Sequence, residues 1–221
     1  MTYVTTNLHG DLAGYRALLE KINFGKKDVL YVLGDAADYG EDAAELLTEM
    51  SMSENVYPVA GEHDLLALRM LTGFDRMLRD GTMPDADFSA EMTAWAADGG
   101  SATLAGFRAL DEDMREGLLD YLSEFALYEE VEAGGRDYVL AHAGIGHFDP
   151  EKDLADYEPE DFFTPAKPGD RFYTDRVLVV GHAPTASGRI EKTDGVIFLG
   201  NGAAGQGIAC LCLESGEEFY V

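Results

Sequence analysis

Four of the five histidines in this 221-residue chain, His9, His63, His142 and His182, lie within two residues of a glycine and at or near the end of a run with strand character. Asp35 stands in the same position, directly after Gly34 and the apolar run Val29–Leu33. In an open α/β sheet, ligands bind beyond the carboxyl ends of the strands. A glycine there lets backbone and ligand approach closely. Any one of these histidines reads as a satisfied core or loop residue, and an acid after a strand is unremarkable in so acidic a chain. The repetition of one arrangement is what points to a shared site. Asn7 and Glu62 stand at two of the same strand ends and add oxygen donors. Mixed imidazole and carboxylate donors suit Mn, Fe, Zn, Co or Ni better than Ca or Mg. With this many donors, one ion or two ions sharing a carboxylate can be held.

The elements that must position these groups follow from periodicity. Tyr3–Thr6, Asp28–Leu33 and Val56–Val59 read as strands. Between them, Asp11 caps a helix whose inward face is Tyr15, Leu18, Leu19 and Ile22, and a second helix runs from about Asp42 to Met52. A third helix leaves His63 with Leu65, Leu66, Leu68 and Met70. This β-α-β-α-β-α opening favours a sheet with crossover helices. Thr72–Asp98 is less regular, broken by Gly73, Gly81 and Pro84, with Trp95 as an anchor in the core. Gly99–Leu110 and Asp113–Ser123 read as two more helices, so residues 72–123 form a helical insertion or cap within one domain spanning 1–221. Phe125–Ala133 and Asp137–Ala141 flank Gly134-Gly135 as a hairpin. His147–Asp175 carries four of the seven prolines and reads as a long covering or functional loop. Val177–Val180, Val196–Leu199, Ile208–Leu213 and Glu218–Val221 close the chain as strands.

Composition narrows the partners. There are 42 acidic against 16 basic residues, a formal net charge of −26. Such a surface repels nucleic acid and anionic lipid, so neither is expected as a partner. A phosphate-bearing ligand would need local positive charge, most simply a metal. Cys210 and Cys212 alternate within one strand pattern, poorly placed to bridge each other, which fits a reducing compartment. With no apolar leader or membrane-length run in the sequence, the expected location is the cytoplasm.

At this point the chain resembles a family. Asn7-Leu8-His9-Gly10, Gly34-Asp35-Ala36-Ala37-Asp38-Tyr39-Gly40, Gly61-Glu62-His63-Asp64, His142-Ala143-Gly144 and Gly181-His182-Ala183 follow the order and spacing of the metallophosphoesterases. The likeness is greatest to the phosphoprotein phosphatase branch, with its bacterial Ser/Thr and diadenosine polyphosphate members. The resemblance implies an α/β/β/α sandwich of two mixed sheets flanked by helices. It implies that Asn7, His9 and Asp35 hold one divalent transition metal, and Asp35, Glu62, His142 and His182 another. A hydroxide between the metals would attack phosphorus in line. His63 would protonate the leaving oxygen, with Asp38 orienting its imidazole. The implied substrate is a phosphorylated small molecule, a phosphoprotein or a nucleoside polyphosphate.

The departures from the pattern bear on function. Asn7 stands where the family has Asp, and Glu62 where it has Asn, which moves one carboxylate charge from the first metal to the second. A tight second site and a weak first one are expected. Glu62 would reach a metal, bridge both, or crowd the site. Tyr39 replaces a phosphate-binding Arg, leaving it as a substrate-facing residue or a ring over the mouth. Ala166 aligns with a second Arg, and Gly200-Asn201-Gly202 replaces a late Asp-Thr-Gly. Neither Tyr nor Ala reproduces a bidentate guanidinium. Arg171, Arg176 and Arg189 are the candidate substitutes, each more simply read as surface charge. Two main readings follow: a metal-dependent phosphoesterase of altered preference, or a non-catalytic descendant that keeps the fold and partial metal binding. Hydrolysis of a non-phosphate substrate is a third.

Overall fold

In a computed structural model that describes residues 1–200 and 207–221, the first sheet has β1 (Thr2–Thr5) at its centre. β2 (Val29–Leu33) and β3 (Val56–Val59) lie parallel to it on one side. On the other side, β9 (Ala209–Cys212) is antiparallel to β1, and β10 (Glu218–Tyr220) is antiparallel to β9. The second sheet runs in the order β4 (Tyr128–Ala133), β5 (Arg136–Ala141), β6 (Arg176–Val180), β8 (Val196–Phe198) and β7 (Glu191–Lys192). Within it, β5, β6 and β8 are parallel.

The period of two along each strand explains the layers. In β2, Leu30 and Val32 face the helices, while Leu33 faces the second sheet. In β6, Val177 and Val179 face the first sheet, and Leu178 and Val180 point outward beneath a further apolar cluster. Strands buried on both faces need apolar residues at every position, which is why these runs do not alternate. α1 (Leu12–Lys21), α2 (Ala43–Ser51) and α6 (Glu112–Ser123) supply Tyr15, Leu18, Leu46, Met50 and Leu122 to the helix side of the first sheet. Asp11 caps α1 by accepting the Gly14 N–H at 2.8 Å. The outer layer on the second sheet is the His147–Asp175 segment, with short 3-10 turns at Leu154–Asp156 and Pro159–Phe163 that bury Leu154, Tyr157 and Phe162. Two mixed sheets flanked by helical elements are thus the architecture that the motif order implied.

Several boundaries differ from the sequence reading. α3 spans Glu62–Asp80 and α4 spans Ala86–Trp95, so most of the stretch that reads as irregular is helix. Gly73 is no break: a Cβ there would fall 2.2 Å from the Phe88 ring, so the glycine admits α4 against α3. α4 joins α5 (Ser101–Ala109) through a wide turn at Ala96–Gly100, where Asp98 and Gly99 leave helical angles and Gly99 has φ +99. β4 starts only at Tyr128; before it, Ala126 pairs with β3 through one bridge to Val59. β7 has no counterpart in the sequence reading. Among the described residues, no helix is long and apolar enough to cross a membrane.

Candidate metal centre

The C-terminal ends of β1, β2, β3, β5 and β6 meet at one edge of the sandwich. His142, after β5, donates its Nδ1–H to the Leu33 carbonyl at the end of β2, at 2.8 Å. Asn7, after β1, donates its side-chain N–H to the His182 carbonyl at 3.0 Å. These two bonds join the sheets where the candidate ligands stand.

Asp35, Glu62, His142 and His182 each turn one donor atom into a common space, all four within 4.8 Å of one another. Glu62 Oε2 lies 2.9 Å from His142 Nε2, and Glu62 Oε1 lies 2.8 Å from His182 Nδ1. Asp35 Oδ2 is 3.5 Å from His142 Nε2. Glu62 thus turns both carboxylate oxygens onto the two imidazoles. With its Nδ1 proton committed to Leu33, a neutral His142 presents the Nε2 lone pair inward, as a metal-ligating imidazole must. Burial disfavours the Glu62 anion, yet the imidazoles of His142 and His182 outweigh it and hold the carboxyl well below the usual range. Burial likewise opposes the His142 cation, but Glu62 and Asp35 push its pKa up to about 9. Two carboxylates converging on two imidazoles form a donor set that fits a divalent transition metal.

The first set is less complete. His9 Nδ1–H donates to the Ala37 carbonyl at 3.2 Å, and its Nε2 lies 3.8 Å from Asp35 Oδ2. Burial lowers the His9 pKa, keeping the ring neutral and able to ligate. Asn7 Oδ1 lies 2.7 Å from the Thr6 hydroxyl, whose one proton also faces the Leu33 carbonyl at 2.7 Å, while the Asn7 amide nitrogen holds His182. The Asn7 amide nitrogen is therefore committed to protein, and the side chain carries no charge.

His63 and Asp38 stand beside these donors. His63 Nδ1–H donates to Asp38 Oδ2 at 2.9 Å, leaving Nε2 free. Burial lowers the His63 pKa, but the Asp38 bond and the charges of Asp35 and Asp38 outweigh it and bring the pKa to about 9. Asp38 is fully buried, and its carboxylate is satisfied from the helical insertion: the Trp95 indole N–H reaches Oδ2 at 2.8 Å and the Thr103 hydroxyl reaches Oδ1 at 2.9 Å.

Sequence reasoning missed Trp95 and Thr103 as site residues; it placed Trp95 only in the core. It also missed Asp64, which sits in the first turn of α3 and accepts the N–H groups of Asp35, Ala36, Ala37 and Gly61 at 2.8–3.0 Å. An acid at the third position of a helix is a capping signal, and here it also fixes the loop that carries Asp35. Among the described non-glycine residues, eight have positive φ, and Asn7, His9, Asp35, Asp38, Tyr39 and His182 are six of them. Unfavourable backbone is concentrated where side chains must converge.

The remaining candidates separate. Tyr39 lies at the mouth, 44% exposed, with ring centroids 4.9 Å from His9 and 5.0 Å from His63. Ala166 donates its N–H to the Ala143 carbonyl at 2.9 Å, so the long loop lies against the His142 turn but brings no guanidinium there. Arg171 faces Asp194, Arg176 pairs with Glu130, and Arg189 covers the Tyr220 ring. All three contacts are outside the donor cluster. His147 pairs with Asp161 on the surface. Asn201 and Gly202 lie outside the described residues.

A family model for calcineurin-like phosphoesterases matches residues 2–203. The chain belongs to that family. Among similar proteins is the symmetrical bis(5'-nucleosyl)-tetraphosphatase of Acidovorax sp. (strain JS42), 28% identical over 142 residues, covering 62% of this chain and 42% of the relative. The enzyme of that name from Marinomonas sp. (strain MWYL1) is 35% identical over 146 residues, covering 65% and 44%. The matched stretch is thus less than half the length of these relatives. Among solved structures, one provisionally described as a diadenosine tetraphosphatase superposes with a TM-score of 0.69 at 16% identity, covering 100% of this chain and 92% of the other. A protein serine/threonine phosphatase from Saccharomyces cerevisiae gives 0.59 at 15% identity, covering 100% and 79%. At these identities the likeness concerns the fold.

Proposed function

We propose that this member of the family is a metal-dependent phosphoesterase, acting on a phosphomonoester, borne by a small molecule or a protein, or on a nucleoside polyphosphate. The observation that carries this reading is the Asp38–His63 pair, 2.9 Å apart and beside the Asp35–Glu62–His142–His182 donors. A chain under no catalytic demand has little use for a buried carboxylate with three side-chain donors, one of them a half-buried imidazole.

Asp35, Glu62, His142 and His182 hold the tighter ion, of the Mn, Fe, Zn or Ni class, and Asn7, His9 and Asp35 a weaker one. A bound ion of this kind supplies Lewis acidity toward the phosphoryl oxygens and lowers the pKa of a water molecule. His63 keeps its Nδ1 proton on Asp38 and delivers the Nε2 proton to the leaving oxygen. Asp38 fixes the ring orientation and stabilises its charged form. Buried Cys210 and Cys212 support a reducing, cytoplasmic setting.

The test is hydrolysis of a panel of phosphomonoesters, phosphodiesters and dinucleoside polyphosphates with added Mn or Ni. Turnover that disappears in His63→Ala supports the enzyme. Two observations favour the second reading, a non-catalytic descendant: the uncharged Asn7 has its amide nitrogen committed to His182, and the three candidate arginines are engaged elsewhere. That reading requires no turnover by the wild type with any metal, and none after Asn7→Asp with Tyr39→Arg.

A further inference from the structure

Tyr39 has no counterpart in the motif that surrounds it, yet it is held firmly. Its φ is +61, and its N–H donates to the Gly99 carbonyl at 3.0 Å. Gly99 lies so close that a Cβ would come within 2.9 Å of the Tyr39 ring. The hydroxyl lies 3.4 Å from Asp98 Oδ1. The ring thus lies against the break between α4 and α5, makes T-shaped contacts with His9 and His63, and leaves 44% of the residue exposed.

Asp98, Asp35, Glu62 and the His63 imidazole surround this mouth, and Arg171, Arg176 and Arg189 are engaged elsewhere. None of these three arginines therefore brings a guanidinium to Tyr39. A fixed aromatic ring offers flat apolar surface and a quadrupole instead, worth more against another ring than against a saturated group of equal size. Placement of the leaving group follows from His63, and here the inference rests on the phosphoesterase reading. An oxygen protonated by His63 Nε2 sits at about 3 Å from it. With the Tyr39 and His63 centroids 5.0 Å apart, a leaving group bonded to that oxygen comes within reach of the Tyr39 ring.

We propose that Tyr39 forms a subsite for a flat aromatic ring carried directly on the ester oxygen, so that aryl phosphate monoesters are the preferred substrate class. The ring takes over by packing the selectivity that an arginine would exert by charge.

The experiment compares the Mn-loaded wild type, Tyr39→Phe and Tyr39→Ala on two matched pairs. Phenyl and cyclohexyl phosphate report kcat/KM. Benzylphosphonate and cyclohexylmethylphosphonate, which cannot be hydrolysed, report binding by calorimetry. Comparing ratios between variants cancels the intrinsic difference between the two leaving groups. The aromatic-to-saturated ratio is expected to be about three- to tenfold larger in the wild type and Tyr39→Phe than in Tyr39→Ala, for both pairs. Equal ratios in all three proteins would overturn the subsite, as would failure of the wild type to bind or turn over either pair. Preferential benzylphosphonate binding that is lost in Tyr39→Ala, with no turnover of any ester, would uphold the subsite and reject the phosphoesterase. Turnover with an unchanged ratio would do the reverse.

Discussion

Trp95 donates its indole N–H to Asp38 Oδ2 at 2.8 Å, and that oxygen also receives the His63 Nδ1–H. The helical insertion thus ends in the hydrogen-bond network of the candidate proton donor. Trp95→Phe keeps most of the packing and removes one donor from a fully buried carboxylate. A hydrogen bond to a charged group contributes about 1.5–3 kcal/mol, so urea unfolding should register a loss of that order. In the enzyme, kcat should fall while KM changes little, because His63 is misoriented without loss of substrate contacts. Thr103→Val should act in the same direction through Oδ1. A drop in stability with kcat unchanged would make Trp95 a packing residue only.

Gly99 has φ +99 and lies against Tyr39. Gly99→Ala meets both an unfavourable backbone region and a ring contact at 2.9 Å. Destabilisation of about 1–3 kcal/mol is expected, together with a change in near-ultraviolet circular dichroism as Tyr39 shifts. A thermal melt equal to that of the wild type would show that the turn relaxes without strain.

Asp64 accepts four backbone N–H groups from the two loops that bear Asp35 and Glu62. Asp64→Asn turns one acceptor atom into a donor facing those amides. The cost should be at least about 3 kcal/mol, and metal affinity should fall although Asp64 is not a ligand. Chemical denaturation and metal titration of the same variant test the two effects separately.

The net charge of −26 implies self-repulsion in the folded state. Salt screens it, with a Debye length of about 10 Å at 0.1 M and 3 Å at 1 M. Stability should therefore rise with added NaCl. A gain of about 1 kcal/mol corresponds to roughly 2–4 °C in Tm at this chain length. A Tm independent of salt would mean that local pairings already neutralise the acids.

How much of this was legible beforehand depended on whether the signal was local. Asp35, Glu62, His142 and His182 each stand in a short motif at a strand end, and their convergence follows from the parallel strands that carry them. Trp95 and Thr103 have no such motif; they reach Asp38 because α4 and α5 fold back at Asp98–Gly99, a long-range event without sequence period. Gly73 misleads for the opposite reason. Its intrinsic cost in a helix is real, but close packing of Phe88 offsets it, and α3 continues. The left-handed backbone at His9, Asp35 and His182 is equally invisible in sequence, since it is imposed by the surrounding loops.

The central claim is that distant strand ends build a single high-affinity metal position. Metal-depleted protein titrated with Mn or Zn in a calorimeter tests it most directly. The account predicts one tight ion per chain and a second, much weaker one that tightens in Asn7→Asp. The tight ion should be lost in His142→Ala and in Glu62→Gln, with affinity reduced at least about tenfold. Binding that survives both substitutions, or no tight ion in the wild type, would contradict it.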